Sequence, residues 1–205
     1  ADFSKDPAVP MVLVMNPTPD GQLLISTGKG FILVDARSGK KLWGFTAIPG
    51  HGQKGNDTWL NESWTYTGNA GSWAQMSADE ALGLVYVPVE APTGDYYGGH
   101  RPGDNLYSSS IVALDVKTGA MKWAFQTTHH DIWDWDMPSA PILADITVDG
   151  KAIKAVAVPT KQNYLYVFDR TNVILGATDP EYVADLSLAI PAILEAGQAL
   201  ATLAE

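Results

Sequence analysis

Short apolar runs separated by turn residues make up most of the first 170 positions of the chain. β-Branched and aromatic residues are frequent in these runs, and Gly, Asp, Asn and Pro bound them. This pattern is typical of antiparallel strands joined by tight turns. The predicted strands cover residues 11–15, 22–27, 31–34, 84–89, 111–114, 121–127, 141–148, 155–158 and 164–168. We therefore predict an all-β fold for residues 11–170.

A spaced motif occurs twice in this region. Residues 33–43 and residues 113–123 both contain the pattern Asp-x3-Gly-x3-Trp, and a third copy begins at Asp169 without reaching its Trp. We interpret the motif as a strand that ends at the Asp, a Gly-assisted turn, and a second strand whose Trp reaches the neighbouring unit. Units of this kind bury their faces by stacking, which favours a β-propeller. Two hairpins that are similar by chance are the alternative.

Two segments depart from the strand pattern. Residues 46–82 are rich in Trp, Asn and Gly, and we expect a long ordered loop of the kind that carries function. From Val173 the strand pattern stops, and residues 182–205 are rich in Ala, Leu and Glu with apolar spacings of three, four and seven. These spacings predict a helix. We therefore divide the chain into a propeller segment, residues 1–172, and a helical tail, residues 173–205.

Charge and composition exclude several classes of function. The formal net charge is −10, which argues against a nucleic-acid partner and against binding to an anionic membrane surface. No apolar run approaches the roughly 20 residues that a transmembrane helix requires. The chain has no Cys, so disulfides, thiolate catalysis and Cys-ligated metals are excluded. No signal peptide is visible at Ala1, which leaves open an intracellular chain or one whose signal was removed.

The densest polar cluster is residues 129–138, with the sequence HHDIWDWDMP. If this segment is extended, Asp134 and Asp136 share one face. Carboxylates beside Trp lie in a low-dielectric setting that raises their pKa, which suits a general base near neutral pH. A metal site of hard oxygen ligands for calcium or magnesium is a second interpretation. A structural turn, in which Asp caps backbone amides and Trp fills the core, is a third.

Three further side chains are candidates for chemistry. Lys161 lies between two predicted strands, where its cation could polarise a carbonyl or pair with Asp134; an exposed hairpin lysine is the alternative. Trp73 follows a small, flexible segment and could stack on a planar ligand, although a core Trp is the alternative. Thr93 lies in a loop, residues 90–102, that has many hydrogen-bonding groups.

The stretch from about Ser38 to Arg170 resembles the pyrroloquinoline quinone (PQQ) dependent dehydrogenases, and is most similar to their membrane-type glucose and polyol branch. The segments GSWA, PTGDYYGGHRP, HHDIWD, PTKQ and VFDR carry the resemblance, in this order along the chain. The two Asp-x3-Gly-x3-Trp copies look like that family's tryptophan-docking motif. The resemblance implies a segment of three to four blades, at roughly 40 to 50 residues each, from an eight-bladed propeller.

The resemblance also implies roles for individual residues. Trp73 would be the floor on which the quinone stacks, and Thr93 would contact the cofactor. Asp134 would take the proton of the substrate hydroxyl while hydride passes to the quinone C5, and Lys161 would hydrogen-bond the quinone oxygens. A bound calcium or magnesium ion would act as a Lewis acid. Asp136 occupies a position linked to lanthanide use, but glucose-type relatives carry an acid there too, so we favour calcium or magnesium.

The implied substrate is a sugar, polyol or alcohol, with a quinone or cytochrome as electron acceptor and the periplasm as location. The other blades, which normally supply further cofactor contacts and metal ligands, are not found in this sequence. A non-catalytic propeller-like binding module and a truncated or chimeric fragment are therefore the alternative functions. An open propeller exposes edge strands, and we expect them to favour self-association.

Overall fold

The computed structural model describes residues 12–148 and 150–170, and these residues form three consecutive antiparallel sheets. The first sheet contains β1 (Val12–Pro17), β2 (Gln22–Thr27), β3 (Gly30–Asp35) and β4 (Lys41–Thr46). The second contains β5 (Ser77–Asp79), β6 (Leu84–Val89), β7 (Ser110–Asp115) and β8 (Met121–Gln126). The third contains β9 (Ile142–Val148), β10 (Lys151–Pro159) and β11 (Leu165–Asp169). Within each sheet, every strand pairs with the next along the chain.

The strands agree with the apolar runs of the sequence, with two additions. β4 was expected only as the Trp-bearing strand of the first motif, and β5 was not predicted because it has three residues and no apolar run. The long loop 47–76 is ordered and contains two short 3-10 helices, Asn56–Thr58 and Leu60–Thr65. The predicted helical tail, residues 173–205, lies outside the described residues.

The second sheet is buried on both faces because it packs between the first and third sheets. Successive residues of a strand point to opposite faces, so each strand contributes to both contacts. Along β6, Val85 and Val87 pack with Leu33 of the first sheet. Leu84 and Tyr86 point the other way and belong to the cluster that includes Val156 of the third sheet. The stacked sheets therefore share continuous apolar layers, and the loops that join the sheets are held at defined positions.

The two complete motifs form equivalent turns, and the first one reaches the second sheet. Asp35 Oδ1 accepts the N–H of Ser38 at 2.6 Å, and Asp115 Oδ1 accepts the N–H of Thr118 at 3.0 Å. The indole N–H of Trp43 donates to the carbonyl of Val116 at 2.9 Å. A Cβ added to Gly119 would lie 2.5 Å from the Trp43 ring. Gly119 therefore gives the ring room to lie against the backbone of the next turn.

A buried ion pair fastens the third sheet to the second. Arg170 Nη1 lies 2.7 Å from Asp79 Oδ2, and both side chains are almost fully buried. Arg170 Nη2 also pairs with Asp145, whose side chain is mostly exposed. Within residues 12–148 and 150–170, no helix is long and apolar enough to cross a membrane.

Candidate functional site

Two loops meet at the ammonium group of Lys161. Lys161 lies in the turn between β10 and β11, and its Nζ donates to Asp134 Oδ2 at 2.9 Å and to Asp136 Oδ2 at 2.8 Å. The backbone N–H of Lys161 donates to the carbonyl of Asp136 at 3.2 Å. The turn is therefore fixed to the loop 127–141 through both side chain and backbone. One cation serves two carboxylates, so these three side chains together carry a net negative charge when all are ionised.

Asp136 is the more buried of the two carboxylates, with a side chain that is 8% exposed. Its Oδ1 accepts the N–H of Ala91 at 2.6 Å, and its Oδ2 accepts the indole N–H of Trp73 at 3.1 Å. Burial raises the pKa of Asp136, and the neighbouring Asp134 raises it further, against the opposing hydrogen bonds. Burial alone would lower the pKa of Lys161, but the hydrogen bonds to the two carboxylates outweigh it and raise this pKa.

Trp73 is anchored at its indole nitrogen and is 45% exposed. This exposure is not that of a core residue, which was the alternative considered from the sequence. Lys161 Nζ lies 5.7 Å from the centroid of the ring, within the range of a cation–π contact. The preceding backbone is also fixed, because the N–H of Ser72 donates to the buried Oγ of Ser26 at 2.7 Å. The arrangement presents an aromatic ring beside a cation.

Glu90 is a buried acid near the site that the sequence interpretation did not select. It directly follows β6, is 6% exposed, and its Oε1 accepts the N–H of Gly71 at 3.0 Å. Burial raises the pKa of Glu90 to about 7, and the charge of Asp136 adds to the shift. The signal in the sequence that could have identified it is an acid that directly follows the apolar run of residues 84–89.

Thr93 lies in a different recess from the Lys161 cluster. Its N–H donates to the carbonyl of Gly68 at 2.9 Å, and its side chain is exposed. The recess has a volume of about 620 Å³ and is lined by Gly28, Lys29, Tyr66, Thr67, Gly68, Asn69, Thr93, Gly94 and Asp95. No hydrogen bond within the described part of the chain joins the Thr93 side chain to Trp73, Asp134 or Lys161. Contact of Thr93 with a cofactor stays a prediction.

The segment that carries Asp134 is irregular, so the extended geometry considered for residues 129–138 is wrong. His130 and Asp134 both adopt positive φ, of 47° and 57°. Asp134 and Asp136 reach the same cation through this irregular backbone rather than by strand alternation. Trp133 is exposed instead of filling the core, and its ring stacks on Trp135 with centroids 4.8 Å apart.

A metal site is not formed by the described residues alone. Among them, no group of three His, Asp or Glu side chains could hold a metal ion. Asp134 and Asp136 supply two carboxylates, and both pair with Lys161. A metal ion at this position would need further oxygen ligands and would compete with the ammonium group.

Known proteins resemble this chain over most of its length. The family model for the PQQ glucose/ethanol/alcohol dehydrogenase β-propeller domain matches residues 7–173. The quinoprotein glucose dehydrogenase of Escherichia coli (strain K12) is 40% identical over 149 residues, which cover 72% of this chain and 18% of that protein. The glycerol dehydrogenase large subunit of Gluconobacter oxydans (strain 621H) is 41% identical over 165 residues, which cover 78% of this chain and 21% of that protein.

A solved structure supports the same fold. The quinohemoprotein alcohol dehydrogenase from Comamonas testosteroni matches with a TM-score of 0.67 and 31% identity, over 77% of this chain and 26% of that one. The chain thus spans about a fifth to a quarter of the length of these relatives. The propeller domain of the family model and the three stacked sheets together confirm the predicted partial β-propeller.

Proposed function

Because the chain belongs to the family of PQQ-dependent glucose, ethanol and alcohol dehydrogenases, represented here by their β-propeller domain, we propose that it contributes catalytic and cofactor-binding residues to an enzyme that oxidises a hydroxyl group of a sugar, polyol or alcohol. Family membership implies PQQ and a metal ion as cofactors. The proposal concerns the part of such a site that this segment supplies, since the segment spans about a fifth of its curated relatives.

The observation that carries the proposal is the contact of Lys161 with Asp134, Asp136 and the ring of Trp73. PQQ is a planar aromatic anion, and a planar anion is bound well by an exposed aromatic ring with a cation beside it. Trp73 is exposed, and its nitrogen is fixed by Asp136, so the orientation of the ring is set before a ligand arrives. The residues present therefore fit the stacked side of such a cofactor.

The two carboxylates are suited to different tasks. Asp136 accepts hydrogen bonds from Ala91, Trp73 and Lys161, so its role is to hold these groups in place. Asp134 is 30% exposed, and its cationic partner is Lys161. Asp134 is therefore the group positioned to take the proton of a substrate hydroxyl, while Lys161 keeps it oriented. When bound, PQQ would supply the quinone that accepts the hydride.

The metal ion is a separate part of the proposal. Asp134 and Asp136 are oxygen ligands of the kind that calcium and magnesium prefer, and we favour these ions over a lanthanide. Because Lys161 pairs with both of these carboxylates and the described residues form no group of three acids or histidines that could hold a metal ion, no step of the proposed chemistry is assigned to the metal.

Electron transfer to a quinone or cytochrome and a periplasmic location complete the proposal, in line with the family. We also propose that exposed sheet edges allow copies of the chain to associate. Sedimentation velocity tests this point, because a single monomeric species across a wide concentration range would contradict it.

The proposal is tested by titrating the chain with PQQ and following tryptophan fluorescence, with and without calcium or magnesium. We expect saturable quenching, and an affinity at least tenfold lower for Trp73→Ala. Trp64→Phe is the control, since Trp64 packs against the first core cluster and its replacement should leave the affinity unchanged. Absence of saturable quenching in the unaltered chain would favour the non-catalytic binding module instead.

A further inference from the structure

Asp131 is a fully buried acid in the loop that carries Asp134, and the proposed chemistry does not use it. Its Oδ1 accepts the N–H of Trp133 at 2.9 Å, and its Oδ2 accepts the N–H of Trp135 at 3.0 Å. The hydroxyl of Ser109, which is also buried, donates to Oδ2 at 2.8 Å. Both carboxylate oxygens are therefore engaged by the backbone on either side of Asp134.

The residue between these two amides has an unfavourable backbone conformation. Asp134 has a φ of 57°, a region that non-Gly residues seldom adopt unless the surroundings hold them there. The N–H groups of Trp133 and Trp135, before and after it, are both bound to Asp131. The same turn brings the two Trp rings together, with an interplanar angle of 19°.

A buried cation, Arg101, contacts the backbone of Asp131. The guanidinium of Arg101 is fully buried and donates from Nη2 to the backbone carbonyl of Asp131 and, at 2.9 Å, to that of Gly94. Its Nε donates to the carbonyl of Thr93 at 3.1 Å. Burial lowers the pKa of Arg101, and the negative charge of Asp131 opposes the shift. Arg101 thus ties the Asp131 turn to the loop that carries Thr93.

We propose that Asp131 is a positioning residue for Asp134: by binding the amides of Trp133 and Trp135, its carboxylate holds the turn that brings the Asp134 carboxylate to Lys161. The inference rests on the proposed function for its catalytic meaning, but the geometry it describes exists without cofactor. A purely local capping role is the competing explanation, because Asp115 also accepts two backbone amides, those of Lys117 and Thr118, in the turn after β7.

The test uses the cofactor-free chain and the variant Asp131→Asn, whose amide group keeps only one acceptor oxygen. Three signals are measured: the hydrogen-exchange rate of the Trp135 amide, the exciton couplet of the stacked Trp rings in far-ultraviolet circular dichroism, and the nuclear Overhauser contact between Asp134 and Lys161. We expect the exchange rate to rise at least tenfold, the couplet to lose at least half of its amplitude, and the contact to disappear.

Asp115→Asn is the matched control, because it weakens another turn whose backbone amides are bound by an Asp side chain, in the second sheet. It should leave all three signals unchanged. Unchanged signals in a folded Asp131→Asn, or equal losses in Asp115→Asn, would overturn the proposal. If Asp131→Asn does not fold, Ser109→Ala is measured instead, because it removes one hydrogen-bond donor to the Asp131 carboxylate. We expect this variant to raise the exchange rate of the Trp135 amide, and no increase would overturn the proposal. A negative PQQ titration would refute the proposed function without affecting these signals.

Discussion

Replacing Glu90 by Gln should make the chain more stable at alkaline pH while leaving its local contact intact. The side chain is 6% exposed, and its Oε1 accepts the N–H of Gly71. Gln has the same shape and an acceptor oxygen in the same place, but it cannot ionise. The substitution therefore removes only the charge that forms when the buried carboxyl loses its proton.

The sign and size of the effect follow from the pKa. Burial, the largest cause, raises the pKa of Glu90 from 4.5 to about 7. Between these values the folded chain holds a proton that the unfolded chain has lost, so the free energy of unfolding falls as pH rises through this interval. The loss amounts to about 3 kcal/mol at roughly 1.4 kcal/mol per pH unit. The Gln variant does not undergo this loss.

Urea unfolding at pH 5 and pH 8, followed by tryptophan fluorescence, measures the effect. The advantage of Glu90→Gln over the unaltered chain should be about 2 kcal/mol larger at pH 8 than at pH 5. Glu80→Gln is the control, because Glu80 is an exposed acid near the same strand, and it should show no such difference. An advantage of equal size at both pH values would refute the assignment of the raised pKa to Glu90.

Three further predictions concern the site and the stacking of the sheets. Asp134→Asn should abolish turnover of the PQQ-loaded protein in a dye-linked assay but leave PQQ affinity unchanged; loss of both would indicate a structural or metal-binding role. Trp43→Phe should lower the free energy of unfolding in urea by at least about 1 kcal/mol, because it removes the hydrogen bond to Val116 and leaves part of the buried indole volume unfilled; no change would contradict the stabilising role of this contact. Arg170→Met should lower the same quantity by about 3 kcal/mol, because it leaves Asp79 buried without its cation; a smaller effect than that of Asp145→Asn would contradict this.

The strands and their order could be predicted because each apolar run is short and bounded by turn residues. The Asp-x3-Gly-x3-Trp spacing also carried information about packing between sheets, since Trp43 contacts the turn at Gly119 in the second copy. β5 could not be predicted because its residues, Ser77–Asp79, have no apolar pattern. Its place in the sheet comes from pairing with β6, which is a tertiary effect.

The candidate site was predictable in its residue types but not in its geometry. Pairing of Lys161 with Asp134 was one of the interpretations of the sequence, beside an exposed hairpin lysine, and the two side chains are in contact. The pattern of residues 129–138 could not show which Asp caps the backbone and which reaches the cation, because Asp131, Asp134 and Asp136 are the same residue type and lie close together in the sequence. That division depends on a left-handed backbone at Asp134, and no periodicity in the sequence encodes it.

The contact between Trp43 and the turn at Gly119 has a consequence for how such a chain can change in evolution. The connection between the first and second sheets, residues 47–76, is much longer than that between the second and third, residues 127–141. The contact of Trp43 with the turn at Gly119 fixes how the first two sheets stack. This contact does not depend on the length of the connection between the sheets. We therefore expect insertions that avoid the packed and site residues of these connections to leave the stack in register, whereas a change of length between Asp35 and Trp43 would move the Trp43 ring away from Gly119.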